Sequence, residues 1–233
     1  MDRKIFKGGI VSLNKDRNYG FIESIDHPES IWFSMKSLVN EVEVGDPVVY
    51  ETRLDRKGEK IADKVRKLLY SSNRVLVIIG IGASLNPDVR DQLFSLIPDL
   101  TLDITKDSLV VERKLADKTG KQLCVEINEK DKIIYAKPWK KNKYWKFVLE
   151  RKPVQSKILS MRFKKDGEFF IIVSAHFGPD TPAFPWDKNG NFEKSKKFWD
   201  HHALVLDGSL KIEPGSIYGY LPDELKTYLH ENT

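Results

Sequence analysis

Asn18-Tyr19-Gly20-Phe21-Ile22 and Ile31-Trp32-Phe33-Ser34-Met35 are the two runs whose pairing decides the fold of this chain. Each has the composition of a short strand. Period-2 alternation puts Tyr19 and Phe21 on one face of the first, and Trp32 and Ser34 on one face of the second. With those faces in solvent, the rings make a platform on which unpaired bases stack, and Lys15 and Arg17 at its edge suit phosphates. Turned inward, the same rings make a core, and spacing alone leaves both arrangements open.

Outward from this pair, β-type runs recur over residues 7–13, 47–53 and 60–67. Turn chemistry separates them: Asn14-Lys15-Asp16, Asp26-His27-Pro28, Val44-Gly45-Asp46 and Asp55-Arg56-Lys57-Gly58. Five strands in fewer than seventy residues is the size of a small OB-type barrel.

These residues carry a family resemblance. Gly9-Ile10-Val11 followed by Tyr19-Gly20-Phe21-Ile22 resembles the opening and first RNA-binding motif of a cold-shock domain. Ile31-Trp32-Phe33-Ser34-Met35 falls where that family has its second motif, which usually ends in His and Phe. Val44 to Glu51 resembles the Gly-containing entry to the fourth strand, and Lys57 to Val65 the closing Lys-Gly, Ala and Val. The short first turn is closer to the Unr-type repeats than to the stand-alone bacterial proteins. The resemblance covers residues 1–68 and implies a five-stranded OB barrel that binds single-stranded RNA or DNA through Lys15, Arg17, Tyr19, Phe21 and Trp32, with Lys36 nearby. It departs at Leu13, where the family has a strand-one tryptophan, and at Ser34 and Met35. Stacking is worth about 1–3 kcal/mol per base, so each missing ring weakens such a platform.

A polar stretch, Leu69-Tyr70-Ser71-Ser72-Asn73, marks the expected boundary, with an α+β domain over 74–233. Val75-Leu76-Val77-Ile78-Ile79 reads as a buried strand and Gly80 to Ser84 as a tight turn. A helix over 88–96 follows, capped by Asn86 before Pro87, with Val89, Leu93 and Leu96 on one face. Strand, Gly-rich turn and helix outline a phosphate site, but the third Gly and a Walker lysine are missing. Six β-type segments between 108 and 176 then suggest an antiparallel meander, with helices at 193–200 and 223–230. The expected fold class is therefore mostly β, α+β, with an N-terminal OB-type barrel.

Two features of the second part bear on chemistry. From Lys137 to Lys165 there are eleven Lys or Arg and one acid, Glu150, for a net +10. Trp139, Lys140, Lys141, Lys143 and Trp145 lie in this run and extend the expected nucleic-acid track. A Lys-rich sheet edge is the plainer alternative. Three of the five histidines, His176, His201 and His202, fall close to Asp180, Asp187 and Asp200. A loose architectural likeness to barnase and RelE-type toxin ribonucleases implies an endoribonuclease as the second reading. In that scheme His176 and His201 or His202 transfer protons, and Lys157 or Arg162 stabilises phosphate charge. A protein-interaction adaptor is the third.

Composition narrows the classes. The chain has 233 residues, 40% apolar and 31% charged, with a net charge of +5. Residues 1–68 carry 13 basic and 12 acidic side chains, leaving 26 and 22 for the rest. One cysteine, Cys124, excludes an internal disulfide and a Cys-rich zinc site, and reads as a buried thiol. No His-x₃-His or His-Glu-x-x-His spacing occurs, so no metal and no cofactor is expected. No signal-type leader opens the chain, and the apolar run at Val75 to Ile79 is too short to span a bilayer. The expected setting is cytoplasmic, away from membranes.

Overall fold

The computed structural model describes residues 4–85, 87–117, 119–187, 191–208 and 210–226. Five strands open the chain: β1 (Phe6–Asn14), β2 (Tyr19–Glu23), β3 (Ile31–Ser34), β4 (Pro47–Leu54) and β5 (Lys60–Tyr70). β1 pairs antiparallel with β2 and β4, β2 with β3, and β4 with β5. A parallel contact, Phe33↔Ala62, joins β3 to β5 and closes the circle, so the order around the barrel is 1-2-3-5-4-1. This is an OB-type barrel, closed so that its strands have no free edge on the ring. Ile10, Ile22, Phe33, Val48, Tyr50, Ala62 and Val65 fill it, each at most 1% exposed.

Gly20 lets the barrel close. It pairs with both Leu13 and Phe33, and the Phe33 ring occupies the space a β-carbon would need, 2.5 Å from that position. The Ser12 carbonyl is 2.8 Å from the same point.

Beyond the barrel, β5 continues to Tyr70 and pairs antiparallel with β6 (Leu76–Ser84) through Leu68↔Ile78, Leu69↔Val77 and Tyr70↔Leu76. The predicted tight turn at 80–84 is instead part of this strand. The remaining elements are α1 (Pro87–Leu96), β7 (Ser108–Lys114), β8 (Gly120–Gln122), β9 (Cys124–Glu126), β10 (Ile133–Ala136), β11 (Trp145–Val148), β12 (Val154–Ser156), β13 (Ile158–Asp166), β14 (Phe169–Phe177), α2 (Phe192–His201) and β15 (His202–Val205). Val89 and Leu93 are buried as the helical spacing requires. The proposed cap Asn86 lies outside the described residues, as does the C-terminal helix beyond Lys226.

The later strands do not form one antiparallel meander. β14 pairs parallel with β6, through Phe169↔Leu76 to Ile172↔Ile79, and β11 pairs parallel with β15. The apolar run 75–79 suits a strand in the interior of a sheet, with two hydrogen-bonded neighbours. β5 and β14 supply them.

The chain divides into two compact units, 1–111 with 161–175, and 112–160 with 176–233. The boundary expected near residues 69–73 is not where they part. In the first unit the sheet runs β3-β2-β1-β4-β5-β6-β14-β13-β7 among the described residues. Beside the barrel core, Val49, Leu68, Ile78 and Phe169 form a second cluster. The other unit contains the sheet β10-β11-β15-β9. There Cys124, Phe184 and Trp199 pack together with Trp145 and Trp186.

Gly20→Val places a branched side chain into the Phe33 ring and the Ser12 carbonyl, an overpacking that costs about 1–3 kcal/mol. Its urea midpoint is expected to fall below wild type with an unchanged slope. Gly9→Ala, whose added carbon meets nothing within 4 Å, serves as the control and leaves the midpoint in place.

Candidate nucleic-acid interface

Register decides between platform and core. In the β1–β2–β3 ladder, Ile10, Ile22 and Ile31 form one row, and Leu13, Gly20 and Phe33 another; both rows face the barrel interior. The alternate rows, Ser12–Phe21–Trp32 and Asn14–Tyr19–Ser34, face outward. Phe21 and Trp32 are therefore direct cross-strand neighbours. The Tyr19 and Phe21 rings meet edge to face at 5.7 Å, with an interplanar angle of 87°. Trp32 is 36% exposed, while Tyr19 and Phe21 are half-buried. Three rings thus share one outer face, which leaves flat surface for a base.

The β1–β2 turn positions the charges. Arg17 donates its backbone N–H to Asn14 Oδ1 at 2.9 Å, and Asn18 takes the left-handed conformation at φ 58°. The Asn18 carbonyl in turn accepts the Met35 N–H at 3.0 Å, tying this turn to the end of β3. Lys15 and Arg17 stand exposed on it.

The departures from the family pattern have clear physical outcomes. A register shift between Ile10 and Ser12 turns Leu13 inward, where it packs on the barrel core with Met35. The outward β1 positions are Ser12 and Asn14, which carry no ring. Ser34 faces outward beside Tyr19, and its Oγ accepts the Lys36 N–H at 3.3 Å to start a short 3₁₀ turn. The face carries rings at Tyr19, Phe21 and Trp32, none at Ser34, and none on β1.

The basic run from Lys137 to Lys165 does not lie within one unit. It is divided between the two units, with Arg162, Lys164 and Lys165 in the first. Several of its charges have partners: Lys137 pairs with Glu224 at 3.5 Å, Lys143 with Asp187 at 3.0 Å, and Arg151 with Asp131 at 2.9 Å. Lys157 and Lys165 donate to the Ala116 and Ile104 carbonyls. Lys146 is 8% exposed and donates to the Trp199 carbonyl; burial pushes its pKa down. Trp145 packs between Phe147 and Phe184, each at 6.2 Å between ring centres, and so belongs to the interior cluster. Trp139, 52% exposed, and exposed Lys140 and Lys141 remain together on a turn closed by Lys141 N–H to the Pro138 carbonyl.

The acid–base candidates lie on several elements. His176 Nε2 lies 3.3 Å from the Pro179 carbonyl, at the end of β14. His202 Nδ1 lies 2.8 Å from the Phe198 carbonyl, and its ring stacks on Phe198 at 4.0 Å and 6°. His201 is exposed at the C-terminus of α2, Lys157 is held on Ala116, and Arg162 is half-buried in β13. Among the described residues no group of three or more His, Cys, Asp or Glu is arranged to hold a metal. No described helix is long and apolar enough to cross a membrane.

Two charged residues with unusual surroundings escape a sequence reading. Arg66 is 4% exposed although it lies in a strand, and Lys146 is buried inside a run counted as surface. Their only signal is placement: each has apolar residues next to it in a strand, Val65 for one and Trp145 and Phe147 for the other.

No family model matches the chain, and no curated protein does. Among solved structures, one described as drosophila Unr CSD456 is similar at 12% identity with a TM-score of 0.25. The match covers 76% of this chain and 63% of that one, so the chain spans less than two thirds of its length. A TM-score of 0.25 is too low to bear on the fold, which rests on the barrel's own strand order.

Burial pushes the Cys124 thiol up to about 12, as expected for an inert interior cysteine. At pH 8 the native protein should react with a disulfide reagent roughly a thousandfold more slowly than the urea-unfolded chain, given the smaller thiolate fraction. Equal rates would place the thiol in solvent.

Proposed function

We propose that the chain binds single-stranded nucleic acid, RNA in particular, through the outer face of β2 and β3. One observation carries the proposal: Tyr19, Phe21 and Trp32 occupy adjacent outward positions in register, with Lys15 and Arg17 exposed on the adjoining turn. In OB barrels the strand 2–3 face and the loops after strands 1 and 4 hold oligonucleotides. Here those loops carry Lys15 and Arg17 in one and Arg56 and Lys57 in the other, all exposed. Bases stack on the rings and phosphates run past the cations, so affinity comes from stacking and charge rather than from base edges. With no ring on β1, fewer bases stack than on a full platform. The Trp139-Lys140-Lys141 turn is a second basic-aromatic point on the other unit, suited to the same kind of strand.

The test is fluorescence anisotropy with a labelled single-stranded oligouridylate. Tyr19→Ala with Trp32→Ala removes two platforms at about 1–3 kcal/mol each, so affinity should fall at least about thirtyfold. Lys15→Ala and Arg17→Ala should flatten the salt dependence by about 0.7 for each phosphate that is no longer neutralised. Undiminished affinity in the aromatic double variant would move binding away from the barrel.

A further inference from the structure

A cleft of about 590 Å³ opens in the first unit where β5 leaves the barrel to follow β6. Three charged side chains border it: Arg66 from β5, Glu51 from β4 and Asp166 from the end of β13. Glu51 and Arg66 lie on the outside of the barrel, because their neighbours Tyr50 and Val65 fill its core. Here the ladders are irregular. Between Ile79 and Ser84, four β6 residues stand opposite the single residue Val173 of β14. Two of the four are glycines. A β-carbon on Gly80 would lie 2.9 Å from the Ile172 carbonyl, and Gly82 takes φ +85°. No turn is being made; the bulge leaves bare backbone along one wall.

Arg66 is the unusual element. It is 4% exposed, and its Nε–H has no hydrogen-bond acceptor. Burial lowers its pKa, opposed by the charges of Glu51 and Asp166. A buried guanidinium donor without an acceptor is costly, and it persists where something else provides one.

Charge selects the class of ligand. The lining holds one cation, Arg66, and two anions, Glu51 and Asp166, and Lys64, from outside the lining, pairs with Glu51 at 2.6 Å. With Lys64 the sum is zero, which disfavours a phosphate or a free carboxylate. A neutral group with acceptors on one edge and donors on another fits better. The rest of the cleft is apolar: Ile5, Ile81, Ile171 and Val173, with Ile81 52% and Val173 43% exposed. Walls of this kind suit the faces of a flat ring.

We infer that this cleft is a guanine-selective base pocket. Guanine offers O6 and N7 as acceptors, which arginine recognises, and N1–H and the 2-amino group as donors for a carboxylate. Adenine presents a donor where guanine has O6, and uracil lacks the paired acceptors. Resting on the single-strand reading above, the inference adds sequence preference to it: guanines of a bound strand enter this pocket, while the β2–β3 face takes any base.

The experiment is a titration of the ¹⁵N- and methyl-labelled full chain with guanosine, inosine, adenosine and uridine, followed by NMR. Guanosine should shift resonances of Ile81, Gly82, Ile171 and Val173 and bind about tenfold or more tightly than adenosine. Inosine, without the 2-amino group, should fall between. Asp166→Asn, at an exposed position at the end of β13, should abolish most of this preference with its spectrum otherwise intact. Arg66→Gln should abolish it as well. No shifts in the cleft, equal shifts with adenosine, or undiminished guanosine binding in Asp166→Asn overturns the inference. Oligouridylate binding separates the two proposals. If it is present and Trp32-dependent while the cleft ignores guanosine, only the pocket fails; if it is absent while guanosine still fills the cleft, only the platform fails.

Discussion

A β-strand has two hydrogen-bonding edges, and the first unit depends on how β5 fills both. Along one edge β4 accompanies it from Lys60 to Lys67. On the other edge the neighbour changes: β3 at Ala62, then β6 from Leu68 to Tyr70. The first contact closes the barrel, and the second attaches everything that follows. Eleven residues at about 3.3 Å each give the strand enough length for both. The change of partner falls at Arg66 and Lys67. A sheet that forks must leave a gap at the fork, and the cleft at Arg66 is that gap. Barrel closure, the extension and the pocket are thus three results of one long strand.

The barrel's inner and outer surfaces follow from the same alternation, with unequal use of the three front strands. β2 and β3 place a ring at each of three outward positions, whereas β1 offers Ser12 and Asn14. From Lys7 to Asn14 the strand holds no aromatic residue, and the bulge at Val11 turns Leu13 inward, because a one-residue slip exchanges the faces beyond it. Leu13 and Met35 therefore strengthen the core at positions where the family carries nucleic-acid contacts. The face has given up contact area while the barrel keeps a dry, well-packed interior.

The barrel was readable from the sequence because each step is local. Strand length, period-2 alternation and turn residues recur in order, and three of the antiparallel pairs, β1–β2, β2–β3 and β4–β5, join chain neighbours. The platform was readable in its residues but not in its orientation, which needed the pairing of Phe21 with Trp32. Past residue 70 the deciding contacts join distant segments. β6 pairs with a strand far downstream, and β11 with β15 across a helix. The side chains of the basic run could not be sorted from the sequence for a related reason: counting charge along the chain assumes a common surface. Folding buried Lys146, drew Trp145 into the aromatic cluster and placed the tail of the run in the other unit. Arg66 was invisible as a site because only the fork isolates its Nε–H.

The parallel pairing of β6 with β14 also has a temporal side. During synthesis, residues 1–84 can close the barrel and add β6 while β14 is still unmade. Until residues 169–177 leave the ribosome, one edge of β6 and its run of valine, leucine and isoleucine have no neighbour. At about 5–20 residues per second the wait lasts roughly 5–20 seconds, during which an apolar strand edge is open to other chains. Slower elongation between residues 84 and 169 lengthens that exposure, so the yield of soluble protein becomes a property of translation speed as well as of stability.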